Sequence, residues 1–266
     1  MQNYWLNKER RSEKARKHTD AMENRYADKI QESVKRSRIY TDFHTAEEQD
    51  NKTSPKLVFT NTDSVSALLD LPENGRRIAV VNFASYKNPG GMFLRGSSAQ
   101  EESLCHESFL YNVLRHMNHY YEENQKRLNW ALYTDRAIYS PDVYFMRGDR
   151  VRTCGVITCA APNWSAASRH TGAVSRSRNT EALRSRIGMI RDIADNNQVD
   201  VLIFGAFGCG VFGQDPEEVA RISLEVFGKT NYLKKVIFAV PGTDRNAAVF
   251  RELTDMGNRA VDNPGL

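Results

Sequence analysis

Five short apolar runs punctuate the second part of this chain: LVFT (57–60), RRIAVVNFAS (76–85), TCGVITCAAP (153–162), VDVLIF (199–204) and KKVIFAV (234–240). The second shows no alternation of polar and apolar residues, the pattern of a strand covered on both faces. Between the runs lie helical stretches: TDSVSALLDL, with Asp63 or Ser64 as N-cap, EESLCHESFLYNVLRHMNHYYEE, a segment near 179–196, and PEEVARISLEVF, with Asp215 as N-cap and Pro216 at the first helical position. RAIYSPDV and VYFMR read as two further strands separated by a proline break, and a closing helix is predicted near 244–256. Strands alternating with helices mean a largely parallel sheet between two helical layers.

The N-terminal region has a different texture. Residues 9–39 contain no Pro or Gly, and Ala15, Met22, Tyr26, Ile30 and Val34 recur at helical spacing. This predicts a helix with one face packed on the rest. Residues 42–55 are polar, end in Pro55, and read as a linker. The division predicted is a basic helical extension over 1–55 and an α/β domain over 56–266. Residues 1–40 hold eleven Lys/Arg against six Asp/Glu, a local surplus of five in a chain of net charge +4. The charges are mixed in sign, so the first reading is a solvated helix face, with contact to a polyanion as the second.

At 266 residues, 40% hydrophobic and 26% charged, the chain has the make-up of a globular protein with a sizeable core. No run approaches the roughly 18 apolar residues that span a bilayer, and the first residues lack a secretory apolar stretch. The expectation is a cytoplasmic monomer. Cys105, Cys154, Cys159 and Cys209 form no C-x-x-C pair and have no histidine cluster beside them, which argues against zinc.

Two glycine-rich segments follow predicted strands, where α/β sheets bind ligands. The second, Gly205-Ala-Phe-Gly-Cys-Gly-Val-Phe-Gly213, runs into a helix N-terminus and suits a phosphate. It has G-x-G-x-x-G spacing, but lies late in the chain with no acidic residue ending a strand about 20 residues on, so dinucleotide redox chemistry is disfavoured. No G-K-[ST] follows either loop. The first segment, NPGGMFLRGSSAQEE, places Gln100-Glu101-Glu102 nine residues after Gly91. Adjacent glutamates can reach two groups of one ligand: one protonates a leaving oxygen while the other holds a sugar hydroxyl, which is glycosidic-bond chemistry. Alone, the pair reads first as the opening turn of a helix, where the dipole favours Glu, and only second as a catalytic pair.

Together the segments are more specific. VVNFASYKNPGGMFLRGSSAQEES resembles the signature of the bacterial-type poly(ADP-ribose) glycohydrolases, and GAFGCGVFGQDPEEVA resembles their second phosphate loop. AIYSPDVYFMR is similar to a family segment between them. The resemblance covers roughly 56–250. It implies a macrodomain, that is, a three-layer αβα fold with a mixed, largely parallel sheet, acting on ADP-ribose or poly(ADP-ribose) on modified proteins, without metal or cofactor. It implies Glu102 as general acid and then base, Glu101 on the ribose of the departing unit, and Asn82 near the terminal ribose. Gly90, Gly91 and Gln100 would belong to the first loop, and Gly208, Cys209, Gly210, Val211 and Phe212 to the second. Such enzymes mostly trim chain ends. The third glycine of the family pattern is Met92 here. Its side chain would narrow the channel, or strain the backbone if the position needs positive φ, which would favour a single ADP-ribose over polymer. The other readings are a mono-ADP-ribosyl hydrolase and a reader that binds ADP-ribose without turnover. Of the remaining groups, His106 is expected to pack or lie on the surface. Ser97, Ser98 and Ser103 lack a nucleophile elbow. Arg169, Arg176 and Arg178 suit a solvated loop as well as contact with a polyanion, and Trp164 and Tyr86 read first as packed aromatics and second as a surface for adenine.

Overall fold

The structure, a computed structural model, describes residues 2–44, 54–170 and 172–262. Most of the predicted linker, 45–53, therefore lies outside the described residues. In chain order the elements are α1 (Gln2–Arg36), β1 (Arg38–Thr41), β2 (Lys56–Thr60), α2 (Ser64–Leu69), β3 (Ile78–Phe83), α3 (Gln100–His106), α4 (Leu110–Leu114) and α5 (Asn118–Gln125). They continue with β4 (Arg136–Arg147), β5 (Arg150–Cys159), α6 (Trp164–Ala167), α7 (Arg176–Asn196), β6 (Val201–Phe204), α8 (Pro216–Phe227), β7 (Lys235–Ala239) and α9 (Arg245–Asp262).

The strands form one sheet in the order β1-β4-β5-β3-β6-β7-β2. The β5-β3-β6-β7-β2 part is parallel, while β1 and β4 add antiparallel pairs at one edge. β3 is buried throughout except for Phe83, as its unbroken apolar run requires. Two apolar cores flank the sheet. One joins it to α1–α5 through Val80, Val113, Ile138 and Phe145, and the other to α7–α9 through Val81, Ile190, Phe204 and Phe238. This is the predicted three-layer arrangement.

Two elements differ from the sequence reading. RAIYSPDV and VYFMR are one strand, β4, because the register shifts between Ser140 and Val143. The bulge takes up Pro141, and Asp142 sits at φ +56. The single helical stretch from 101 is three short helices. Ser108 explains the first break: its hydroxyl donates to Leu104 O at 2.6 Å and accepts from Leu110 N at 3.0 Å, ending α3 and starting α4.

The predicted apolar face of α1 is inside, with Ala15, Met22 and Ile30 buried. The helix is kinked at Tyr26, whose ring packs on Tyr144. The N-terminal region is not separate from the sheet: β1 pairs with β4 directly. Among the described residues, no helix is long and apolar enough to cross a membrane, and no group of three His, Cys, Asp or Glu could hold a metal ion.

Candidate active site

β3 and β6 are neighbours in the sheet and run parallel. The two glycine loops leave their carboxyl ends side by side, about 4.8 Å being the spacing of adjacent strands. The first loop turns over the start of α3. Gly90 and Gly91 take φ +64 and +62, a backbone that only glycine adopts cheaply. A Cβ on Gly91 would stand 2.7 Å from Glu102 Oε1 and 2.8 Å from Glu101 Oε2, so both carboxyl groups converge on that residue.

Each carboxyl group is anchored differently. Glu101 accepts from Asn82 Nδ2 at 3.2 Å and from Ser85 N at 2.7 Å. It is 3% exposed. Burial pushes its carboxyl up to about 8, the neighbouring Glu102 adds to the rise, and the Ser85 and Gly90 amides and Asn82 oppose it. Glu102 accepts from Met92 N at 2.9 Å and reaches back to Ala99 N, the residue before α3, at 2.8 Å. The helix-start role of this glutamate is thus real, and it coexists with a place at the loop. The clear pKa rise falls on Glu101, the residue expected to hold the ribose rather than to donate the proton.

Met92 sits at φ −110, so its backbone is unstrained. The positive φ angles fall on Gly90 and Gly91, so the backbone strain considered for a side chain at the third position does not arise. Its amide still serves the site through Glu102. Asn82 is fully buried and also donates to Thr158 Oγ1 at 3.3 Å, while its Oδ1 has no partner. The Gln100 amide is committed to the strand: Nε2 donates to Val81 O at 2.8 Å, and Oε1 accepts from Phe83 N at 2.9 Å. It ties α3 to the end of β3 and thereby places the two glutamates.

The second loop presents backbone donors. The amides of Gly208, Gly210, Val211 and Phe212 donate to no acceptor among the described residues. The amides of Cys209, Gly213 and Gln214 are taken by Ala206 O, Gly210 O and Gly208 O. Four N–H groups without a partner thus lie in one half-exposed turn, free to donate to a ligand. Val211 is 84% exposed at its tip. Asp215 caps α8, accepting from Glu217 N at 3.0 Å and Glu218 N at 3.2 Å, so a protein carboxylate already occupies that end. Gly208 is needed for close approach as well as for φ +77: a Cβ would lie 2.7 Å from that of Ala161, at the end of β5. The Cys209 thiol is half-buried, and burial pushes it up to about 12, so it is no nucleophile at neutral pH.

Several supports escaped the sequence reading. Asn179 of α7 and Gln214 exchange amide hydrogen bonds at 2.9 and 2.8 Å, and Gln214 Nε2 also donates to Pro162 O at 2.7 Å, pinning the second loop. Both residues are buried. On the other side α1 grips the first loop: Arg11 Nε donates to Gly96 O at 2.7 Å and Ser12 Oγ to Leu94 O at 2.6 Å. Tyr86 is not available to adenine. It is buried, stacked on Tyr133 with centroids 4.1 Å apart, and Tyr133 meets Phe212 edge-on at 6.1 Å. The two loops therefore share one aromatic wall. Trp164 lies under the Arg176 guanidinium at 5.0 Å. Arg169 and Arg178 are exposed. His106 packs edge-on to Phe93 at 4.7 Å, and burial holds it down at about 4, neutral at physiological pH. Ser97 and Ser98 lie in the loop and Ser103 on the exposed side of α3.

Residues 11–148 match the family model described as the catalytic domain of microbial-type PARG. The fold is similar to poly(ADP-ribose) glycohydrolase of Thermomonospora curvata bound to the inhibitor ADP-HPD: TM-score 0.79 and 28% identity, over 92% of this chain and 99% of that one. It is also similar to the Deinococcus radiodurans enzyme in complex with ADP-ribose: TM-score 0.74 and 30% identity, over 85% of this chain and 97% of that one. No curated protein matches. With half the chain matched by the family model, and the two glycine loops and paired glutamates in place, the chain belongs to the microbial-type poly(ADP-ribose) glycohydrolase family.

Proposed function

We propose that this protein hydrolyses the ribose–ribose O-glycosidic bond of poly(ADP-ribose), releasing ADP-ribose from chain ends. One observation carries the reading: two buried carboxyl groups converge on Gly91, on the loop beside four unpaired amides at the end of the next strand. A terminal diphosphate lies on the amides of Gly208, Gly210, Val211 and Phe212. Its ribose then rests over Glu101 and Glu102.

Glu102 is the group that addresses the leaving oxygen. Each of its oxygens accepts one backbone N–H, which leaves a lone pair on each for a ligand. As an acid it gives its proton to the departing ribose oxygen while the C1–O bond breaks. The ribosyl cation that develops is stabilised by the nearby diphosphate charge. As a carboxylate it then takes a proton from the attacking water, and the cycle closes. Glu101 holds a hydroxyl of the substrate; its raised proton affinity means the pair carries one proton at neutral pH, and that proton must sit on Glu102 when it acts as the acid. That same shift favours a second reading, in which Glu101 is the donor.

The experiment compares wild type, Glu102→Gln and Glu101→Gln on end-labelled polymer and on mono-ADP-ribosylated protein. Free ADP-ribose from polymer, abolished by Glu102→Gln and only reduced by Glu101→Gln, supports the first assignment. The reverse order moves the donor to Glu101. Release of internal oligomers removes the chain-end claim, and cleavage of the mono-modified protein alone would make Met92 a block to polymer. Tight binding with no release by any variant makes the protein a reader.

A further inference from the structure

The basic surplus of the N-terminal region serves the active site only in part, through Arg11 on the first glycine loop. Part of it converges on a cavity of about 730 Å³ at the opposite end of the sheet. Lys35, Arg36 and Arg38, at the junction of α1 and β1, meet Arg76 and Arg77, which enter β3, around its wall. Asp142 is the one carboxylate among the lining residues, and Arg36 pairs with it. The Arg77 guanidinium donates to Gln198 Oε1. Arg76 also feels Asp200, whose own salt bridge is to Lys234. Among the described residues, Lys35, Arg38, Arg76 and Arg77 make no ion pair.

Local structure accounts for only some of these cations. Lys35 and Arg36 complement the carboxyl end of the α1 dipole, and Arg38 blunts an edge strand. Neither reason applies to Arg76 and Arg77, which arrive from a different segment. Like charges converge in a concave wall at a cost in self-repulsion, and such a wall focuses positive potential. The floor, with Ile78, Tyr139 and Pro141, gives a sugar or base a surface to lie on. The volume falls in the range of small-ligand sites and is too confined for a duplex.

We infer that this cavity is an exosite for an internal ADP-ribose unit of the polymer whose end occupies the active site. The inference rests on the polymer reading above. The ligand it takes is a diphosphate-bearing unit, two negative charges against the four unpaired cations. β3 links the two places: Ile78 lines the cavity and Phe83 ends beside the glutamates, about 17 Å apart at strand rise. That line runs through the buried sheet, so a chain joins the two places only along the outside of the protein, a longer path that takes several units and that an ADP-ribose dimer does not cover. Binding of the second unit is then intramolecular and tightens the hold on long chains without changing the chemistry.

The test uses Arg38→Gln/Arg76→Gln/Arg77→Gln, with Lys35→Gln/Arg38→Gln as a second variant that leaves β3 untouched, each checked by thermal melting. Binding of end-labelled long polymer is measured in the inactive Glu102→Gln background across a salt series. Turnover of dimer and long polymer is measured in the active background. The expected result is Kd and KM for long polymer raised roughly tenfold, well inside what linked sites can add, with dimer turnover unchanged. The salt slope should fall by about 0.7 for each phosphate that the variant no longer neutralises. Equal effects on dimer and long polymer, or none, overturn the inference. Single-stranded DNA of matched length binding as tightly, with the same dependence on these residues, overturns the polymer assignment in favour of nucleic acid. If wild type cleaves neither substrate, the proposed function fails, and the binding arm still reads the cavity.

Discussion

Replacing Gly91 by Ala tests the site at its narrowest point. The residue holds φ +62, and for an L-residue that conformation costs about 1–2 kcal/mol. The new methyl would stand 2.7 Å from Glu102 Oε1 and 2.8 Å from Glu101 Oε2. Carbon–oxygen contact is comfortable near 3.5 Å, so both oxygens must retreat by roughly 0.7 Å. Neither is free to do so: one is held by Met92 N at 2.9 Å and the other by Ser85 N at 2.7 Å. Losing one of these bonds adds about 1.5 kcal/mol, for a total near 3 kcal/mol. At about 2–4 °C per kcal/mol for a domain of this size, Tm should fall by about 6–12 °C. A displacement of this order costs on the order of 10²-fold in rate when it misaligns reacting groups. The control is Gly75→Ala, at φ +72 with nothing within 4 Å of a Cβ. It carries the backbone cost alone and should leave turnover intact. ADP-ribose release at a temperature where both variants are folded separates the two. Full activity in Gly91→Ala, or equal loss in both, would refute the convergence of the carboxyl groups on this residue.

Three further outcomes follow from the geometry. Glu101 takes up its proton near pH 8 when folded and near its ordinary value of 4.5 when unfolded, so its contribution to stability is full below about pH 4.5 and is lost as pH rises through 8. Glu101→Gln should flatten the fall of Tm between pH 5 and 8.5, and a slope identical to wild type would show that the group is not held protonated. Arg11→Ala/Ser12→Ala removes the grip of α1 on the first loop, at about 1 kcal/mol per bond, and should lower kcat with little change in KM; an effect on Tm alone would make these hydrogen bonds purely structural. Asn179→Ala leaves the buried Gln214 Oε1 without its donor, at about 1–3 kcal/mol. Its effect should appear in affinity for ADP-ribose, because it loosens the amide cradle, and unchanged affinity would count against that loop as the phosphate site.

The parts of this protein that could be read from the sequence are those set by neighbours in the chain. The apolar runs that became β3, β5, β6 and β7 carry their burial in their own composition, and Asp63, Asp215 and Pro216 mark their helix starts locally. The same holds for Gly90, Gly91, Glu101 and Glu102, which lie within one turn-and-helix unit. Proline in β4 misled because a bulge, fixed by pairing with β5, absorbs it. The loss of the helix at Ser108 depended on one side chain bonding to its own backbone. The Asn179–Gln214 pair, the hydrogen bonds from α1 to the first loop and the basic cavity each join segments tens of residues apart, and no local pattern announces them. The two pKa values that matter most, at Glu101 and His106, follow from burial in the assembled core rather than from residue type.

The most direct measurement is a titration of isotope-labelled protein with ADP-ribose, followed by backbone amide NMR. The unpaired amides of Gly208, Gly210, Val211 and Phe212 should show the largest shifts, together with Met92, whose amide reports on Glu102. Shifts confined to the Asp215-capped start of α8, or to Arg76 and Arg77 at the far end of the sheet, would contradict a ligand cradled between the two glycine loops.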